Sequence, residues 1–213
     1  MTIAVFFEAS GIVRDAQRPG PHIVGDVFDH LHDGWTGAIM HPTCTWLTIS
    51  AAWAFLDPDF DRYPGVGYHQ KVKPGTLTGE PRRIARDKAV ADFKRLDAVD
   101  YPHAIENPAP SFASAAHRKP DQTVQPYQFG EDASKRTGLW LWKLPKLRPT
   151  KRIAGRIVNG VERWANQTDS GQNRLSPSDD RWSLRSDTFP GIADAIADQW
   201  GAILAGIEKG ALL

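Results

Sequence analysis

Short apolar, β-prone runs alternate along this chain with segments of helical spacing, and that alternation limits the fold more than any other feature. Ile3 to Phe7, Trp35 to His41 and Thr137 to Leu144 are each too short for a buried helix and are bounded by turn residues, which predicts strands. "HIVGDVFDHL", starting at His22, predicts a further short strand or turn. "YPHAIENPAP" predicts a short strand ending at Glu106. Pro81 to Leu96 has helical spacing, with Ile84, Ala85, Ala89, Phe93 and Leu96 on one face and Pro81 in the first turn. Gly191 to Ile207 predicts a terminal helix that places Ile192, Ala195, Ile196, Gln199, Ile203 and Leu204 on one side. "IVRDA" after Gly11 can start a helix, which "QRPGP" stops early. Strands alternating with helices predict an α/β fold with a mostly parallel sheet.

The connections are uneven. Residues 56–81 are rich in Pro, Gly, Tyr and Asp and read as a long mobile loop. Residues from about 153 to 182 read as an irregular polar insert. No repeat or low-complexity tract divides the 213 residues, so a single domain is expected. The formal charge is +1, with 26 basic and 25 acidic side chains, which excludes a polybasic tail but not a local basic face. A single cysteine excludes an internal disulfide and predicts a reducing compartment. The apolar start is too short for a signal peptide or a membrane span, so a soluble, cytoplasmic protein without a membrane partner is expected. Most of the eight tryptophans are expected in the core.

Four places can carry chemistry. Cys44 lies in "HPTCTWLTIS", just past a predicted strand, in a turn opened by Pro42. A lone cysteine is most often a small core residue, but ligands of open α/β sheets bind beyond the carboxyl ends of strands, where Cys44 stands. Glu106, in "AIENP", ends another apolar stretch; it is either a solvated carboxylate or a working one. "FFEASG" puts small residues after the first strand, where a backbone can approach a ligand closely. Lys135 and Arg136 precede the strand "TGLWLW"; such a pair is ordinarily a solvated edge, and here it falls near the same rim. No metal-ligand pattern is read.

In this order, these segments resemble the cytosine-C5 DNA methyltransferases, and closest of all short phage-type members. "FEASG" resembles the first cofactor motif, "GDVFDHL" the segment whose aspartate meets the cofactor adenine, and "HPTCTWLTIS" the catalytic cysteine loop. "AIENP" resembles the Glu-Asn motif, "QPYQFGEDASKRTGLWLW" the basic motif with its strand, and "RSDTFPGIADAIADQWG" the C-terminal motif. The resemblance implies a Rossmann-like methyltransferase sheet and a phage-encoded protein in a bacterial host. It implies S-adenosylmethionine as methyl donor and DNA, or a cytosine nucleotide, as partner. Cys44 would add to cytosine C6, Glu106 would hold the N3 and amino edge, and Arg136, with Lys135 second, would orient the base or the loop. Phe6, Ser10, Gly11, Asp26 and Pro42 would line the cofactor site, and the stretch from Trp46 to Pro81 would close over a flipped base.

The chain departs from the family pattern in three ways. The stretch from Gly11 to Asp26 is too short for a helix and a following strand, so the sheet should be shortened at that edge and lacks the acid that would take the cofactor ribose. Thr43 precedes the cysteine where proline is common. No large target-recognition domain is present; Arg148, Lys151, Arg152, Arg156 and Arg163 form either a phosphate-binding cluster or a solvated loop. Two further readings stay open: a donor-independent enzyme modifying cytosine C5 with the same Cys/Glu pair, and an inactive nucleic-acid-binding relative.

Overall fold

The computed structural model describes residues 5–8, 22–24, 26–57, 75–176 and 188–208. Six strands form one open sheet: β1 (Val5–Glu8), β2 (His22–Val24), β3 (Ala38–His41), β4 (His103–Pro108), β5 (Gln122–Val124) and β6 (Thr137–Trp142). Their order is β2-β1-β3-β4-β6-β5. The first four run parallel; β6 is antiparallel to both β4 and β5. The expected α/β sheet is present, mostly parallel with an antiparallel strand inserted near one edge. The stretch from Gly11 to Asp26, expected to be too short for a further strand, does hold one: the three-residue β2, parallel to β1, forms the other edge and ends two residues before Asp26.

Period-two alternation sorts the strand residues onto two faces. Ala38, Met40, Ile105 and Trp140 pack with Phe93 and Leu96 of helix α1 (Gly79–Asp97). Ile39, Ala104 and Leu139 pack with Ile192, Ala195, Ile196, Trp200 and Leu204 of helix α3 (Pro190–Glu208). A short helix α2 (Phe112–Ala116) follows β4. Trp140 and Trp200 are sealed in the two layers, each with its indole N–H donating to a backbone carbonyl, of Arg118 and Pro145 respectively. Trp164 is also buried, whereas Trp142 is about half exposed at 48%. Among the described residues no helix is long and apolar enough to cross a membrane.

Several expectations need correction. Ile84 is not on the packed face of α1: it is 63% exposed, and the buried positions are Gly79, Arg82, Val90, Phe93 and Leu96. Gly79–Pro81 belongs to α1 rather than to a loop, and Ile49–Phe55 forms a 3-10 helix packed beside it. Buried Arg82 fixes that contact by lying 5.2 Å from the Trp46 ring and 4.7 Å from the Phe55 ring. The rest of the expected mobile loop, 58–74, lies outside the described residues. The polar insert is not irregular throughout: β7 (Arg156–Val158) and β8 (Val161–Arg163) form a hairpin. Asn159 and Gly160, with φ of 50° and 78°, make its two-residue turn.

Helix α3 is seated by its first residues. Gly191 donates its N–H to Glu131 Oε1 at 3.2 Å, a carboxylate at a helix N-terminus. A Cβ at Gly191 would stand 1.9 Å from the Phe129 carbonyl oxygen. Gly191→Ala is therefore expected to displace the helix start and cost about 1–3 kcal/mol, read as a lower urea midpoint; an unchanged midpoint would contradict this packing.

Candidate functional site

Strand order reverses at β1, which has β2 on one side and β3 on the other, so the crevice for a ligand opens beyond the carboxyl ends of β1 and β3. β3 ends at His41, opposite Glu8 in register, and β4 carries Glu106 at the same level. By alternation His41 and Glu106 continue the α3-facing row begun by Ile39 and Ala104, so a histidine and a carboxylate meet where two apolar residues would otherwise pack.

His41 Nδ1 lies 2.9 Å from Glu106 Oε2, with 14% and 11% of the two side chains exposed. Thr188, two residues before α3, donates its hydroxyl to the same oxygen at 3.1 Å. Burial would push the Glu106 carboxyl up, but the charge and hydrogen bond of His41, the charge of Lys135 and the Thr188 hydroxyl outweigh it and hold the group near 2. Glu106 is thus ionised near neutral pH, and Oε2 already accepts from two donors.

Cys44 is half-buried in the turn beyond β3. Its carbonyl accepts from Leu47 N at 3.0 Å and Thr48 N at 2.9 Å, closing one tight loop. Both ends of that loop are fastened to the chain leaving Glu106. Asn107 Nδ2 donates to the Pro42 carbonyl at 3.4 Å, and Phe112 N donates to the Leu47 carbonyl at 2.8 Å. Thr43, in place of the expected proline, leaves this turn intact.

A cleft of about 440 Å³ opens on the α1 side of the same rim. Asp26, Val27, Phe28, Met40, Pro42 and Leu47 line it, with His41 and Thr43 at its border and Lys88 and Asp92 on the helix opposite. Asp26 caps the 3-10 turn Val27–Asp29 by accepting from Phe28 N at 3.0 Å, which fixes the turn that walls the cleft. Asp26 and Pro42, both expected in the cofactor site, therefore share one cavity. Phe6 is in β1, and Ser10 and Gly11 lie outside the described residues.

The two members of the basic pair are placed differently. Lys135 is half-buried and its charge acts on Glu106, whereas Arg136 is exposed and offers its backbone carbonyl to Ala109 N. Of the five basic residues around the insert, three hold the hairpin itself. Arg152 pairs with Glu162; Arg156 binds Asp169 and the carbonyls of Trp164 and Gln167; Arg163 binds the carbonyls of Asp169 and Glu162. Arg148 and Lys151 are exposed.

His41 and Thr188 are the residues that the sequence reading passed over. His41 was visible only as the last residue of an apolar run, and nothing in the chain order sets it against Glu106. Among the described residues no group of His, Cys, Asp and Glu could hold a metal ion. The chain matches no family model, no curated protein and no solved structure.

Proposed function

We propose that this chain is a cytosine-C5 methyltransferase-like enzyme, acting on DNA or a cytosine nucleotide through a covalent bond between Cys44 and C6. The observation that carries the reading is the double fastening of the cysteine turn to the segment bearing Glu106, which holds a thiol and an ionised carboxylate at one sheet rim.

The chemistry follows from those two groups. The Cys44 thiolate adds to C6, and the electron pair of the C5–C6 double bond makes C5 nucleophilic. Glu106 accepts a hydrogen bond from the amino group and holds the proton that N3 takes up from solvent as the thiolate adds, which stabilises the ring. Lys135, rather than the exposed Arg136, supplies the nearby positive charge. After C5 is substituted, loss of its proton restores the double bond and expels the thiolate. S-adenosylmethionine, when bound, supplies the electrophilic methyl group. The cleft fits it in kind: Val27, Phe28, Met40 and Leu47 offer apolar walls for a purine plane, and Asp26 stands beside them as an acceptor.

A second reading keeps the cysteine and the glutamate without this donor. It is favoured by the edge strand β2 being only three residues long. Calorimetry separates the two. S-adenosylmethionine is expected to bind more tightly than about 1 mM, and Asp26→Ala to weaken it about tenfold, as loss of one hydrogen-bonded contact would. No heat at millimolar donor would remove methyl transfer and leave the second reading.

A further inference from the structure

We propose that His41 is a positioning residue of this site: through Nδ1 it commits one oxygen of the Glu106 carboxylate, so that the other reads an N–H-bearing edge of the substrate. The proposal rests on the reading above and adds a residue and a selectivity to it.

The geometry is one-sided in an informative way. Oε2 of Glu106 accepts from His41 and from Thr188, so the proposal gives the substrate edge to Oε1. An ionised carboxylate has only acceptors to offer. It therefore favours a pyrimidine with an amino group beside its ring nitrogen, and it repels one with a carbonyl at that position. At the exocyclic position this distinguishes cytosine, a donor, from uracil or thymine, a carbonyl acceptor.

His41 is not held as a purely structural histidine would be. Its Nε2 is buried and has no hydrogen-bond partner among the described residues, so the ring is oriented from the Glu106 side alone. Most buried polar atoms are bonded. His41 itself is among the residues at the border of the cleft, beside Pro42 and Thr43. The neighbouring Asn107 repeats the pattern. Its Nδ2 holds the Pro42 carbonyl, while its buried Oδ1 has no partner among the described residues.

Three side chains among the described residues act on Glu106. β3 contributes His41, the loop before β6 contributes Lys135, and the lead into α3 contributes the uncharged Thr188. Glu8 of β1 stands opposite His41 in register. Replacing the imidazole with an amide keeps a donor and removes its charge, which separates charge from hydrogen bonding.

The test uses the full chain with carboxyl-labelled glutamate, the Glu106 signal being assigned by its loss in Glu106→Gln. In the wild type this carboxyl is expected to titrate below the ordinary glutamate range. In His41→Gln its proton affinity should rise about tenfold or more, one pH unit. Equal titrations would overturn the proposal. Should His41→Gln fail to fold, nitrogen spectra of the wild-type ring decide alone: Nδ1 should carry a hydrogen throughout roughly pH 5–9, and a bare Nδ1 overturns the proposal.

A second arm measures covalent trapping by 5-fluorocytosine DNA against pH. The acid limb is expected to move upward in His41→Gln by the same interval as the carboxyl titration. Thr188→Val, which removes only a hydroxyl donor, should move it less. Trapping by His41→Gln at the wild-type rate at every pH would overturn the proposal. If the wild type traps nothing while the two titrations differ, the positioning of Glu106 by His41 stands and the covalent reading falls.

Discussion

Cys44→Ser is expected to leave no covalent adduct with 5-fluorocytosine DNA and to slow methyl transfer by on the order of 10³-fold or more. A serine hydroxyl is barely ionised near neutral pH, whereas a thiol is appreciably so and is the better nucleophile at carbon. The exchange is nearly isosteric, and Cys44 is half-buried in a turn closed by its own backbone carbonyl. Stability should therefore change by less than about 1 kcal/mol, so a lost adduct reports chemistry rather than unfolding. Adduct formation equal to that of the wild type would make Cys44 a small packing residue and end the covalent reading.

The largest expected loss of stability lies away from the site. Asp97, at the last turn of α1, is 6% exposed and receives Arg118 at both oxygens, at 2.6 and 2.7 Å, and His117 at 2.7 Å. His103, sealed in β4, stands 3.6 Å from Oδ1, the oxygen that Arg118 Nη2 binds at 2.7 Å. Burial would push the carboxyl up, but hydrogen bonds from Arg118 and His117, the nearby His103 ring and the Arg118 charge hold it well below the usual carboxylate range. Asp97→Asn strands these donors, and removing one partner of a buried ion pair costs about 3–5 kcal/mol. The folded carboxyl binds its proton less readily than the unfolded one, so its contribution is present above the unfolded value, roughly pH 4, and is lost as pH falls further. Urea unfolding should thus show a wide gap between wild type and variant at pH 7 and a narrower one below pH 4. A gap below about 1 kcal/mol at pH 7 would place the cluster among weak surface pairs.

How far the fold can be read from the chain depends on the length of the element. Four strands and two helices announced themselves because each carries enough apolar residues in one period. β5, Gln122–Val124, has only three residues and exists because β6 pairs with it, a tertiary cause that leaves no local trace. The β7–β8 hairpin did leave one. "VNGV" places Asn-Gly between β-branched residues, the strongest short hairpin signal, and the polar surroundings obscured it. Ile84 misled for the opposite reason. One strongly apolar side chain was set on the packed face, while that face in fact carries Arg82, whose guanidinium lies over two aromatic rings.

The candidate site was legible in part. Cys44 stands in the turn beyond the end of β3, as expected, whereas Glu106 lies inside β4, which runs on to Pro108 instead of ending at the acid. Asp26 and Pro42 border one cleft. The histidine between them was not legible, because its partner depends on the β3–β4 register, with Met40 opposite Ile105, which no residue spacing encodes. Nor could the order of Lys135 and Arg136 be read. Adjacent residues point apart, and only the entry into β6 decides which of them turns toward Glu106.

Gln199, on a helix otherwise packed by apolar residues, carries a mechanical consequence. Its amide receives Arg148 N at 2.8 Å and donates to the Arg148 carbonyl at 2.9 Å, imitating one rung of a strand ladder. The chain between β6 and the hairpin is thereby clasped to the middle of the helix whose leading residue, Thr188, touches Glu106. Arg148 and the buried acid are thus joined through the eleven residue steps from Thr188 to Gln199, the lead and first half of one helix.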